Sequence, residues 1–154
     1  MKSTELKKII GKILKDNNFV TLNGNWFKES DETIVVLNLQ KSNFSDKYYL
    51  NIRIFIKGLF CNFSKMDKKW IKNQIGDVFL RAPKEFDYIL DMENNIGLEE
   101  RIEKIQDLFN KFIVPFSSEA FSVAGIKSLY LKSQINLLPA VKEALKIEHP
   151  NLEF

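Results

Sequence analysis

Two segments, Thr33 to Lys41 and Lys47 to Lys57, constrain the fold of this chain of 154 residues more than any others, because both alternate in polarity with the two-residue period of a β-strand. Asn43-Phe44-Ser45-Asp46 supplies a turn between them, so the pair reads as an antiparallel hairpin. With Ser42 facing Lys47, Leu39 falls opposite Leu50, Leu37 opposite Ile52 and Val35 opposite Ile54, and one face is wholly apolar. The other face carries Gln40 opposite Tyr49, Asn38 opposite Asn51, Val36 opposite Arg53 and Ile34 opposite Phe55. A slip of one residue would mix the two sets, so the hydrophobic pattern itself selects the register.

The remaining elements are placed around this hairpin. Leu6, Ile9, Ile10, Ile13 and Leu14 recur at helical spacing from Ser3 to Lys15, with Ser3 or Thr4 as the expected amino cap. Phe19–Leu22 and Trp26–Glu29 flank Asn23-Gly24, a dipeptide that accepts the two positive φ angles of a type I′ turn. Further strands are expected around Ile71–Phe79 and, after Pro83, at Phe86–Leu90. A second helix begins near Gly97 with Leu98, Ile102, Ile105, Leu108, Phe109 and Phe112 on its apolar side, and Pro115 is expected to end it. A short helix over Phe116–Phe121, capped by Ser117 or Ser118, and a last helix over Leu138–Ile147 with Pro139 in its first turn complete the order. No repeat and no low-complexity linker divides the chain. The expectation is a single α+β domain over residues 1–154, an antiparallel β-sheet meander flanked by an N-terminal helix and C-terminal helices.

The stretch Val36-Leu37-Asn38-Leu39-Gln40-Lys41-Ser42, followed by Tyr48-Tyr49-Leu50-Asn51-Ile52-Arg53-Ile54-Phe55, resembles the bacterial family known as domain of unknown function 4304. The leading helix, the aromatic-rich hairpin after Phe19 and the carboxy-terminal helix after an acidic segment follow the same order, over most of residues 1 to 115. The resemblance implies an α+β fold and a bacterial source, and brings no established activity with it. The family's basic strand segment aligns here with Lys72-Asn73-Gln74-Ile75-Gly76-Asp77, which holds no arginine.

Several chemistries are excluded by residue counts. Cys61 is the only cysteine and His149 the only histidine, so no intramolecular disulfide, cysteine-based zinc site or histidine-dependent triad can be built. Cys61 between Phe60 and Phe63 reads as a small buried apolar residue, and His149 as a solvated helix end. No glycine-rich loop followed by Lys-Ser/Thr is present to cradle a phosphate. A nuclease-like acidic residue followed by Gln-x-Lys fails on spacing, because Ser42 stands two beyond Gln40 and adjacent strand residues such as Gln40 and Lys41 face opposite ways. Charges at Lys2, Glu5, Lys7, Lys8 and Lys12 leave no apolar core for a signal peptide, and no stretch approaches a membrane span. A cytoplasmic setting without a membrane partner is expected.

Net charge is +3, from 23 basic and 20 acidic residues, and decides little alone. Its distribution is more telling. Lys65, Lys68, Lys69 and Lys72 surround Trp70 against one acid, Asp67, a composition that suits a phosphate backbone and a stacked base, or simply a solvated loop. Glu85, Asp87, Asp91, Glu93, Glu99, Glu100, Glu103 and Asp107 face only Arg101 and Lys104 over the following stretch. Within it Asp87/Asp91 and Glu99/Glu103 are paired carboxylates that could hold Mg²⁺, though an exposed helix face explains the second pair without chemistry.

The foremost candidate site is the polar sheet face of Asn38, Gln40, Tyr49, Asn51, Arg53 and Phe55, whose amides, guanidinium and aromatics can hydrogen-bond and stack a planar or anionic ligand. An ordinary outer face covered by water or other segments is the plain alternative. With no catalytic constellation, cofactor motif or metal-ligand set, the reading is a non-catalytic module with a protein partner, acting as an immunity protein does. The alternatives are a nucleic-acid-associated protein using the Lys65–Lys72 segment and, third, a carboxylate and Mg²⁺-dependent enzyme.

Overall fold

The structure, a computed structural model, describes residues 1–59 and 76–147. Cys61, the Lys65–Lys72 segment with Trp70, the leading part of the expected Ile71–Phe79 strand and His149 lie outside the described residues.

Helix α1 (Ser3–Asp16) buries Leu6, Ile10 and Leu14 completely and half-buries Ile9 and Ile13, the stripe that its spacing dictates. Its cap differs from expectation: Lys2 is the capping residue and Ser3 is already helical. The carboxylate of Glu5 accepts a hydrogen bond from the Lys2 backbone N–H at 3.4 Å, and its charge favours the amino end of the helix.

Strands β1 (Val20–Leu22), β2 (Asn25–Glu29), β3 (Thr33–Lys41), β4 (Tyr48–Ile56) and β5 (Val78–Arg81) form one antiparallel meander in the order β1-β2-β3-β4-β5. Asn23 and Gly24 take φ of 51° and 76°, the paired positive angles that close the first hairpin. In the central hairpin Val35 faces Ile54, Leu37 faces Ile52, Leu39 faces Leu50 and Gln40 faces Tyr49, the register selected by polarity. The Ser42 N–H donates to the Lys47 carbonyl at 2.8 Å and closes the turn. On the inner face Val35, Leu37, Ile52 and Ile54 are fully buried against the α1 stripe and against Ile105, Leu108, Phe109 and Ile113. Each such side chain contributes roughly 1.5–3 kcal/mol by leaving water.

Three expectations are corrected. Phe86–Leu90 is not a strand but the last five residues of a seven-residue 3₁₀ helix, Lys84–Leu90. Phe86, Ile89 and Leu90 stand three and four residues apart, and the terminal carbonyls find their donor in a side chain rather than a ladder: Arg101 Nη1 donates to Ile89 O at 2.7 Å and to Asp91 O at 2.9 Å. Pro115 does not end the second helix. Helix α2 (Leu98–Leu108) passes into a π-helical turn, Phe109–Ile113, and on into α3 (Val114–Glu119). The Val114 N–H reaches back five residues to Phe109 O, and this wider turn accommodates a proline that lacks its own donor. Ser117, expected as a cap, is instead buried within α3.

Helix α4 (Val123–Leu131) was not foreseen, because it buries only Ile126 and Leu129; Ser122 caps it by accepting from the Gly125 N–H at 3.0 Å. A Cβ at Gly125 would stand 1.6 Å from the Glu119 carbonyl oxygen, so only glycine lets α4 start this close to the end of α3. Helix α5 (Pro139–Ala144) has Pro139 at its first position and stops earlier than expected, with Lys146 at φ 55°. The β2–β3 turn is tied to the α3–α4 junction by Ser30 Oγ donating to Phe121 O at 2.6 Å and Thr33 Oγ1 donating to Ala120 O at 2.8 Å. Among the described residues no helix is long and apolar enough to cross a membrane.

Candidate functional site

The outer face of the sheet changes character along its strands. At one end Ile34, Val36 and Phe55 are buried as a small apolar cluster with Phe27 beside them. At the other end the register aligns Asn25 with Asn38, Asn38 with Asn51 and Asn51 with Arg81, a polar row across β2, β3, β4 and β5. Gln40 and Tyr49 form the next row toward the β3–β4 turn.

These groups hold one another. Asn51 Nδ2 donates to Gln40 Oε1 at 2.8 Å, Arg81 Nε donates to Asn51 Oδ1 at 3.1 Å, and Arg81 Nη2 donates to the same Gln40 Oε1 at 3.1 Å. The guanidinium carbon of Arg81 lies 4.4 Å from the centre of the Tyr49 ring, and Lys47 Nζ approaches the same ring at 5.2 Å. A planar cation is thus stacked on an aromatic face and pinned by two amide oxygens, which fixes its plane. Arg53, one row further along, donates through Nη2 to Asn25 Oδ1 at 3.3 Å. It is 8% exposed, and burial pushes its guanidinium below the ordinary arginine value.

Of the six residues predicted from sequence, Gln40, Tyr49 and Asn51 are thus joined in one network, and Arg53 is linked instead to Asn25 on β2. Asn38 is half-buried between Asn25 and Asn51, and its side chain hydrogen-bonds to no described residue. Phe55 is placed at the apolar end, 2% exposed. Arg81 and Asn25 were missed. The expected strand stopped at Phe79, two residues short of Arg81, although the alternation of Val78, Phe79, Leu80 and Arg81 carries the signal. Asn25 falls between the expected Asn23-Gly24 turn and the strand expected from Trp26, and β2 begins with it.

The acidic segment is divided by the fold. Asp87 pairs with Lys47 at 3.7 Å and Asp107 with Lys111 at 3.5 Å. Glu85, Glu99, Glu100 and Glu103 are exposed and make no ion pair with a described residue. Arg101, counted from sequence as part of this charge balance, is 2% exposed and turned inward, where Asn94 Oδ1 also accepts from it. Burial lowers its pKa from the usual value, and the charge of Asp91 acts against that. Among the described residues no three His, Cys, Asp or Glu side chains gather as a metal site.

Residues 10–119 match the family described as Domain of unknown function (DUF4304). The chain belongs to that family. The DUF4304 match contains all five strands, so the whole polar face lies inside it. No curated protein and no solved structure matches the chain.

Proposed function

We propose that this DUF4304 domain is a non-catalytic binding module that holds a protein partner against the polar end of its outer sheet face, with Arg81 as the anchor for a partner carboxylate. The observation that carries this reading is the state of Arg81. It is exposed, and it uses Nε and Nη2 on two amides, which leaves Nη1 and the second Nη2 hydrogen without an acceptor among the described residues. The amides and the Tyr49 ring hold the guanidinium in place before a ligand arrives, which lowers the ordering cost of binding. Amides, a guanidinium and a phenol donate and accept hydrogen bonds, the chemistry of recognition.

The test is capture of protein and nucleic-acid partners by the wild-type chain, compared with Arg81→Ala and Gln40→Ala. A protein retained by wild type and lost by both variants, each still folded, supports the reading. Retention unaffected by either variant overturns it.

A second surface favours a basic protein partner, as an immunity protein blocking a toxin would. Glu99, Glu100 and Glu103 project from α2 without ion pairs to described residues, so their field reaches solvent. Association with a basic partner then slows as salt shortens the screening length from about 10 Å at 0.1 M to about 3 Å at 1 M. The Lys65–Lys72 reading makes the opposite forecast, saturable retention of nucleic acid near physiological salt, and a mobility-shift titration separates the two.

A further inference from the structure

On the inner side of the sheet, away from Arg81, a groove of about 340 Å³ opens between α1 and the β1–β2 hairpin. Lys7, Lys8, Gly11, Thr21, Trp26 and Leu39 line it, and its volume suits a small organic molecule. Trp26 is only 6% exposed, yet its indole N–H donates to no described residue. The nitrogen itself is not sealed off, so a molecule in the groove can reach it and accept the hydrogen bond that no described residue takes.

Gly11 sits over that nitrogen. A Cβ at position 11 would lie 3.6 Å from Trp26 Nε1, an ordinary contact, so packing does not require glycine there. Helix propensity argues against it too, since Gly11 occupies the interior of a 14-residue helix, where alanine is preferred. What the missing methyl does is leave the indole N–H open to the groove. At the rim, Lys7 and Lys8 are exposed and form no ion pair with a described carboxylate. The segment from Lys2 to Asp16 carries five lysines against Glu5 and Asp16, so the potential at the mouth is positive.

We propose that this groove binds a small amphipathic carboxylate, its charged end met by the Lys7 and Lys8 ammonium groups and the Trp26 N–H, and its apolar body lying along Leu39. The inference is independent of the Arg81 surface, since the two lie on opposite faces of the sheet.

The full-length chain, labelled with ¹⁵N, is titrated with octanoate and with phenylacetate while the indole N–H resonances are followed, Trp26 being assigned by Trp26→Phe. Octylamine and 1-octanol are the controls. The expected result is a saturable shift of the Trp26 indole signal with the carboxylates and none with the amine. Gly11→Ala is expected to weaken carboxylate binding by about tenfold or more while raising the thermal midpoint, so lost binding cannot be lost folding. A Lys7→Gln, Lys8→Gln double variant is expected to lose the preference for octanoate over octanol. Failure of both carboxylates to move the signal at millimolar concentration, equal binding of octylamine, or undiminished affinity in Gly11→Ala would each overturn the proposal.

Discussion

The two faces of the β3–β4 hairpin come from one alternating pattern and do different things. On the inner face Val35, Leu37, Ile52 and Ile54 are sealed by helices and gain their stability by leaving water. On the outer face the pattern is apolar only as far as Ile34, Val36 and Phe55, then gives way to Asn38, Gln40, Tyr49 and Asn51. Of these, Gln40 and Asn51 are held by each other and by Arg81, which lies over the Tyr49 ring. The lesson is that core and polar network share the same strands at an offset of one residue, so the polar end can change its chemistry without disturbing the core. Substitutions on the two sides should therefore separate cleanly.

The largest expected effect is on the inner face. Ile52→Ala removes a fully buried side chain between α1 and the sheet and is expected to cost about 2–5 kcal/mol in urea unfolding. Its neighbour on the outer row, Asn51, is buried too, but through its hydrogen bonds to Gln40 and Arg81. Asn51→Ala is expected to cost about 1–3 kcal/mol, since Gln40 and Arg81 each lose a partner. Equal losses at both positions would mean that the outer row is as much core as the inner one.

Two arginines sharpen the comparison. Arg101 closes the end of the 3₁₀ helix with hydrogen bonds to Ile89 O and Asp91 O, and Arg101→Met is expected to cost about 1–3 kcal/mol by stranding those carbonyls. Arg81 is exposed on β5, and Arg81→Ala is expected to cost about 1 kcal/mol because the buried Asn51 Oδ1 loses its donor, seen as a midpoint lowered by about 2–4 °C. Partner retention should show the reverse order, intact in any folded Arg101 variant and lost in Arg81→Ala. If Arg81→Ala unfolds the chain as readily as Ile52→Ala, the polar face is structural.

Why one part of this was legible and another was not follows from range. The hairpin register was readable because one face of Thr33–Lys41 and its partner is wholly apolar while the other carries Asn38, Gln40, Asn51 and Arg53, and a slip would mix the two sets. The α1 stripe and the Asn23-Gly24 turn were readable for the same local reason. Lys84–Leu90 was misread because Phe86, Ile89 and Leu90 fit either element, and the deciding donor, Arg101, is more than ten residues away and looks like a surface charge. Pro115 was misread because a single π turn removes its conflict with the helix, a solution that periodicity does not announce. Of the polar network, Gln40, Tyr49 and Asn51 were visible in the hairpin. Arg81 depended on placing β5, and nothing local to Asn51 says which arginine reaches it.

The smallest expected effect concerns the edge where β4 meets β5, outside both surfaces compared above. Asp77 Oδ2 accepts from the Ile56 N–H at 2.6 Å, and burial raises its carboxyl above the usual aspartate value of 3.8 more than that bond lowers it. A raised pKa in the folded state means that the fold binds the proton more tightly than the unfolded chain does. Its contribution is therefore unfavourable above the folded pKa and relaxes as pH falls through it toward the ordinary value. Glu119 runs the other way. Hydrogen bonds from Lys132 and Ser128 hold its carboxyl below the usual value of 4.5, so its favourable contribution is present above that value and lost as pH falls through the folded one. Asp77→Asn keeps a carbonyl oxygen for the Ile56 N–H and is expected to lie within about 1 kcal/mol of wild type at neutral pH. The informative reading is the slope: urea melts from neutral pH down into the carboxylate range should show Asp77→Asn losing ground to wild type as Asp77 protonates, and Glu119→Gln gaining ground over the same interval. The Tyr49 and Arg81 signals should not move in either variant, because neither carboxyl touches the polar row. A pH-dependent change there would show that the edge of the sheet and its polar face are coupled.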